Sequence, residues 1–219
     1  VSYISSYIRH FYHVYASGAW STPVREHAEA LGKSGFEGET VVGLVGYPED
    51  RERAKNHIVM RFGSNGVPIP EVWVEADEGF EQLTLSKLHC DIHNIPGNFP
   101  VLYAHTKGAH DDSEWNAIWR RSMTRHVVSN WRACAALLHD YDTVGCHWLT
   151  PEEHHNPPDY PVTVPMYGGN YWWARTQYLR ELPPPENEYR HQAEEWVGQN
   201  KPKAFDLLPG WPSRKLCKQ

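Results

Sequence analysis

Residues 8–46, IRHFYHVYASGAWSTPVREHAEALGKSGFEGETVVGLVG, carry the reading that decides the fold. Ile8 to Ala16 is dense in aromatic and β-branched residues and reads as a strand, closed by a turn at Ser17-Gly18. Thr22 can cap a helix whose first position is Pro23, and that helix runs through Val24, His27, Ala28 and Leu31 to a stop at Gly32 to Gly35. Val41 to Gly46 is a short apolar run ending in glycine, the form of a parallel strand buried on both faces. Strand, helix and strand in this order make a βαβ unit, whose connection folds back right-handed over the sheet.

The alternation continues outward. Pro48 to His57 reads as a charged helix and Val72 to Glu75 as a strand. Glu81 to Ile92 is a helix with Leu85, Leu88 and Ile92 on one face, and Pro100 to His105 is a fourth strand. The expected class is α/β, a mostly parallel Rossmann-type sheet flanked by helices in a single domain over residues 1–219. The second half is mixed. A helical region from Ser113 to His139 leads to a strand at Thr143 to Trp148 and a Pro- and His-rich loop over 150–165. Then come YGGNYWWA (167–174), a helix around Arg175 to Leu182 stopped by three prolines, and a last helix near Glu186 to Gln199.

The formal charge of -6 argues against a protein that grips a polyanion, because phosphate-backbone affinity comes from clustered Lys and Arg, so no bulk nucleic-acid binding is expected. Arg120, Arg121, Arg125 and Arg132 form the one basic cluster, readable as a solvated helix face or as a contact for a single diphosphate. No apolar run reaches the roughly 18 to 20 residues that a membrane span needs, and the expected setting is a reducing cytoplasm, with Cys90, Cys134, Cys146 and Cys217 scattered rather than paired. The chain has no GxxxxGK[ST], no GxGxxG after a strand and no GxSxG, which sets aside P-loop, dinucleotide-binding and serine-hydrolase chemistry. His154-His155 with Glu152-Glu153 lacks the one-face spacing of a zinc helix, and no metal ligands are assigned.

In open α/β sheets ligands sit outside the carboxyl ends of the strands. Tyr15-Ala16 after the first strand can face a nucleobase or ribose, and Lys87 is a further candidate nucleotide contact. VLYAHTKG (101–108) delivers His105, Thr106 and Lys107 to the sheet edge, and Gly108 lets the backbone turn close to a ligand. A compact ammonium beside a hydroxyl suits a phosphate, though an exposed lysine in a turn is the plainer alternative.

VLYAHTKG, EWNAIWRRSM, YDTVGCHWL, YGGNYWWARTQYLRELP and RHQAEEWVG, in that order, resemble a family of bacterial and viral GT-A-like glycosyltransferases. The resemblance spans nearly the whole chain. It implies a nucleotide-binding half over 1–108 and an acceptor and catalytic half over 109–219, with a nucleotide-diphosphate sugar, expected to be a UDP-sugar, as donor and a glycan or protein hydroxyl as acceptor. In such enzymes an Asp-x-Asp at the position of His105-Thr106-Lys107 holds Mn²⁺ or Mg²⁺ on the diphosphate; here those carboxylates are missing, and Lys107, with an Arg such as Arg121, is expected to take over the leaving-group charge. Glu194 is carried over as the base that takes the acceptor proton, with Glu195 facing elsewhere, and Asp142 and His147 are further catalytic candidates. Gly168, Gly169, Asn170 and Trp172 are expected to line the sugar and acceptor, one of Trp172 and Trp173 being core. Asp111-Asp112 reads as a helix cap or a metal contact. Two other readings of the same residues are a carbohydrate-binding or virion-associated protein without turnover, and a transferase acting on modified DNA bases.

Overall fold

A computed structural model describes residues 7–111, 113–151, 163–186, 191–210 and 212. The first half alternates as expected: β1 (Arg9–Tyr15), α1 (Ser21–Ser34), β2 (Glu39–Val45), α2 (Pro48–Ser64), β3 (Val72–Ala76), α3 (Gln82–Asn94) and β4 (Pro100–His105). Helix α1 starts one residue before Thr22, with Trp20 at its cap position and no side-chain cap bond. It ends where glycine was expected: Gly35 adopts a left-handed φ of 60°, its N–H bonding back to Gly32 O.

The second half holds α4 (Glu114–Met123), a π-helical turn (Thr124–Val128), α5 (Trp131–Leu137), β5 (Thr143–Gly145), β6 (Trp148–Leu149), β7 (Met166–Tyr167) and β8 (Trp172–Arg175). After these come α6 (Thr176–Leu179), α7 (Gln192–Glu195), a 3-10 turn (Trp196–Gly198) and β9 (Ala204–Asp206). The long helix expected over 113–139 is interrupted at the π turn, where Ser129 N–H reaches back to Thr124 O. The strand expected over 143–148 divides into β5 and β6 at His147, whose φ of 59° no extended strand accommodates. Most of the 150–165 loop and the start of the last helix lie outside the described residues.

The main sheet has the order β3-β2-β1-β4-β8-β5-β9, parallel throughout except β8, which runs antiparallel to both β4 and β5. Helices cover both faces, so successive side chains alternate between two cores. Tyr12, Val14, Leu102, Ala104, Val144 and Trp173 belong to one; Phe11, Val101, Tyr103, Trp172 and Ala174 to the other. Strands β1 and β4 are neighbours in space but are separated in sequence by β2 and β3, so the order reverses between them. That reversal opens a crevice at the carboxyl edge, the usual seat of ligands in such sheets.

Candidate active site

The turn after β4 is held from three sides. Thr106 N–H donates to His13 O at 2.9 Å, Thr106 Oγ1 accepts from Tyr15 N–H at 3.0 Å, and Ala109 N–H returns to Thr106 O at 3.0 Å. Thr106 is buried and joins the tips of β1 and β4. On the β1 side Ala19 N–H donates to Ala109 O at 2.9 Å, and a Cβ on Gly18 would lie 2.4 Å from that same oxygen. Only glycine fits there without a backbone shift, and its φ of 67° favours it too. Ala16 is fully buried beneath this junction, while Tyr15 stands 36% exposed at the strand tip.

Lys107 projects from the turn with its Nζ 4.2 Å from the centre of the Trp119 ring, a cation–π contact from the first turns of α4. Trp119 stacks in turn on Trp115. The Lys107 carbonyl accepts from Arg120 Nη1 at 2.9 Å, and Arg120 Nε bonds Glu26 at 2.9 Å in the interior. Gly108 has φ 82°, and a Cβ there would stand 3.0 Å from Asn116 Cβ and 3.2 Å from Arg120 Nη1. The lysine thus sits on a braced backbone with a ring to lean against.

Glu194 arrives from α7, its side chain 15% exposed and its Oε1 3.6 Å from His191 Nδ1. Burial pushes its carboxyl up, but the His191 hydrogen bond and the electrostatic influence of Lys107, and then of His191 and His105, outweigh that and hold it at about 2. It is therefore ionised at neutral pH. Glu195, one residue and about 100° further round the helix, is buried elsewhere and accepts from Thr163 N–H at 3.2 Å.

His105 is buried, its Nδ1 3.2 Å from Glu81 Oε1 and its Nε2 donating to Gly169 O at 2.9 Å. Burial is the largest influence on the ring and lowers its pKa. Tyr171 Oη donates to the His105 carbonyl at 2.5 Å. Gly169 (φ 92°) and Asn170 (φ 56°) make the sharp turn that enters β8, and Asn170 is fully buried. Its amide spans Glu81 and Trp172 Nε1. Glu81 and Trp119 are the residues the sequence reading passed over, and Arg120 entered it only as a member of the basic cluster. Glu81 precedes a helix that runs antiparallel to the strands, so the start of α3 returns to the carboxyl edge. Arg120 and Trp119 share a helix with the nominated Arg121 but lie on the phase that faces the β4 turn.

Several nominated residues lie elsewhere. Asp142 sits at the amino end of β5, bound to the Arg175 guanidinium and accepting from Lys203 N–H at 2.7 Å. Since Arg175 pairs with Pro100, the first residue of β4, this is the opposite edge of the sheet. Lys87 also lies there, 2.5 Å from Asp91, which binds Arg9 at the amino end of β1. Arg121 is turned outward, pairs with Glu26 at 2.8 Å and lines a groove with Arg25, Lys33 and Arg125 between α1 and the π turn. Trp172 and Trp173 are both fully buried, so neither presents a face to a sugar; β8 lies inside the sheet and each indole enters one core. Gly168 is buried too, its N–H donating to His147 O at 2.8 Å. His147 is fully buried with Nδ1–H donating to Gly210 O at 2.8 Å, and burial lowers its pKa. It fastens β5 to β9 rather than joining Lys107. Asp111 accepts from the Asn116 amide at 3.0 Å, a local tie at the start of α4. Asp112, Arg190 and His154-His155 lie outside the described residues.

Among the described residues no three His, Cys, Asp or Glu side chains converge as a metal-holding group. An imidazole clasped between two acceptors, a buried hydroxyl and an ammonium do not make a divalent-cation ligand set. No described helix is long and apolar enough to cross a membrane.

A mostly parallel sheet with one reversed strand, helices on both faces and a braced crevice at its switch point define the GT-A-like class of α/β folds. The chain belongs to the family described as domain of unknown function DUF8361, whose model matches residues 11–213. No curated protein matches it in sequence. Among solved structures it is similar to S. aureus TarS 1-349, with a TM-score of 0.50 and 14% identity over 92% of this chain and 58% of that one. It is also similar to glucosyl-3-phosphoglycerate synthase from Mycobacterium tuberculosis in complex with Mg²⁺ and UDP, with a TM-score of 0.42 and 11% identity over 81% of this chain and 59% of that one. At 14% identity the likeness to the first is one of fold, and the chain spans less than two thirds of either protein.

Proposed function

We propose that this protein is a glycosyltransferase that moves a sugar from a nucleotide-diphosphate sugar, a UDP-sugar, to a hydroxyl on a glycan or protein. What supports the reading is the position of Lys107 and His105 at the tip of β4, beside the crevice between β1 and β4, together with a Glu194 carboxyl held low in part by their electrostatic influence. The acceptor oxygen attacks the anomeric carbon, the bond to the diphosphate oxygen breaks with its electron pair, and the acceptor proton passes to Glu194. Lys107 takes the charge that develops on the diphosphate. In this reading Tyr15, exposed at the tip of β1, contacts the nucleoside. A carboxylate held at about 2 is a weak base by itself. A diphosphate beside Lys107 neutralises one of the charges that holds it down, so donor binding strengthens the base.

Isothermal titration with UDP, GDP and ADP and their hexose conjugates tests the donor half. One nucleoside diphosphate series is expected to bind, and Lys107→Met to weaken it by about tenfold or more, the loss of a charge-assisted contact. Glu194→Gln is expected to keep UDP binding and lose transfer. Absence of binding by every nucleotide, with binding of free sugars retained, would leave a carbohydrate-binding protein instead.

A further inference from the structure

Donor and acceptor atoms around Glu81 can be counted one by one. Trp172 Nε1 only donates, so the Asn170 atom facing it at 2.7 Å is Oδ1, and Nδ2 faces Glu81 Oε2 at 2.6 Å and Ala193 O at 3.3 Å. Tyr103 Oη, which burial above all keeps protonated, donates to the same Oε2 at 2.9 Å. Both approaches to that oxygen are filled by donors. The other oxygen, Oε1, faces His105 Nδ1 at 3.2 Å. Across the ring, Nε2 faces the Gly169 carbonyl, which only accepts, so Nε2 carries a hydrogen. A bare Nδ1 against a bare carboxylate oxygen would set two lone pairs together where the side chains are 11% and 14% exposed. One further proton, on the ring or on the carboxyl, removes the conflict.

We propose that Glu81 and His105 hold this proton between them, forming a neutral pair, and that Glu81 is thereby a positioning residue: one carboxylate sets the His105 ring at the tip of β4 and the Asn170 turn into β8. The charged and titratable groups around the ring are Lys107 on the following turn, Glu194 from α7 and His13 from β1, with Tyr171 holding the His105 carbonyl. A neutral pair adds no net negative charge beside Lys107, so its charge stays available to an anion. That consequence rests on the diphosphate reading of Lys107; the proton does not.

Native capillary electrophoresis at neutral pH tests the proton directly. Glu78→Gln, at an exposed position in the same loop, removes one ordinary negative charge and sets the size of one step. Glu81→Gln is expected to comigrate with wild type, because the pair it replaces is already neutral: the glutamine amide can donate to Nδ1 and still accept from Asn170 and Tyr103. A full one-charge step for Glu81→Gln overturns the proposal. If circular dichroism shows that variant unfolded, His105→Gln takes its place. It is expected to move one step toward the anode, as an unshared Glu81 ionises, and comigration there overturns the proposal equally. Calorimetry with UDP is a separate reading, so a protein that binds no nucleotide still answers the electrophoretic question.

Discussion

Exchanging Glu194 for glutamine and following stability against pH measures the field that Lys107 and His191 exert in the crevice. The carboxyl is held at about 2 in place of an ordinary 4.5, with burial opposing the shift and the His191 bond and neighbouring charges producing it. At about 1.4 kcal/mol for each pH unit, that gap corresponds to about 3 kcal/mol of folding stability. The folded protein binds this proton less tightly than the unfolded chain does. The stabilisation is therefore complete above the unfolded value near 4.5 and disappears as the pH falls through the folded value near 2. Roughly 2 kcal/mol of it should be gone by about pH 3. Urea unfolding of both proteins at matched ionic strength, between about pH 6 and pH 3, gives the difference directly. The expected result is a gap between wild type and Glu194→Gln that narrows by about 2 kcal/mol over that range. Two curves that stay parallel would refute the argument, since they would mean that the carboxyl feels no net positive field.

Asp142→Ala removes the acceptor of Arg175 and of Lys203 N–H and should cost about 1 to 3 kcal/mol in urea unfolding. UDP affinity should stay unchanged; weakened binding at unaltered stability would return Asp142 to the site. Trp172→Ala should cost about 3 to 5 kcal/mol through the cavity it leaves, whereas a sugar-stacking role would show as lost affinity in a protein of normal stability. Gly108→Ala meets a left-handed φ and two close neighbours, and should cost about 1 to 2 kcal/mol while weakening UDP binding, because the turn that carries Lys107 must shift. An unchanged melting temperature would show that this turn is not braced as described.

The first half of the fold was legible because each element is long enough to declare its period, and because a strand that alternates with helices has only one sensible direction. The short strands of the second half carry no such signal. Four residues of β8 read the same in either direction, and only their pairing with Val101 and Thr143 shows that the strand is reversed. Seeking sites after strands therefore pointed to Lys107 and His105, which do lie at the tip of β4, but it could not point to Glu81, which stands before a helix. Asp142 precedes a parallel strand, and that position alone places it at the far edge. Lys87 and Asp91 are spaced as a helical ion pair, which was readable, and the pair proved to be what occupies that lysine. Trp172 and Trp173 look alike in sequence, and alternation put one of them inward. With helices on both faces there is no outward side, so both are core.

The reversed strand also sets rules for grafting. In β1, β2 and β4 new sequence added downstream of the strand lands at the crevice, but in β8 the same addition emerges at the floor of the molecule. Segments exchanged between relatives to alter what the crevice accepts should therefore join upstream of Trp172 and leave Arg175 onward alone. A library built on the opposite assumption would vary the wrong edge and sample only stability.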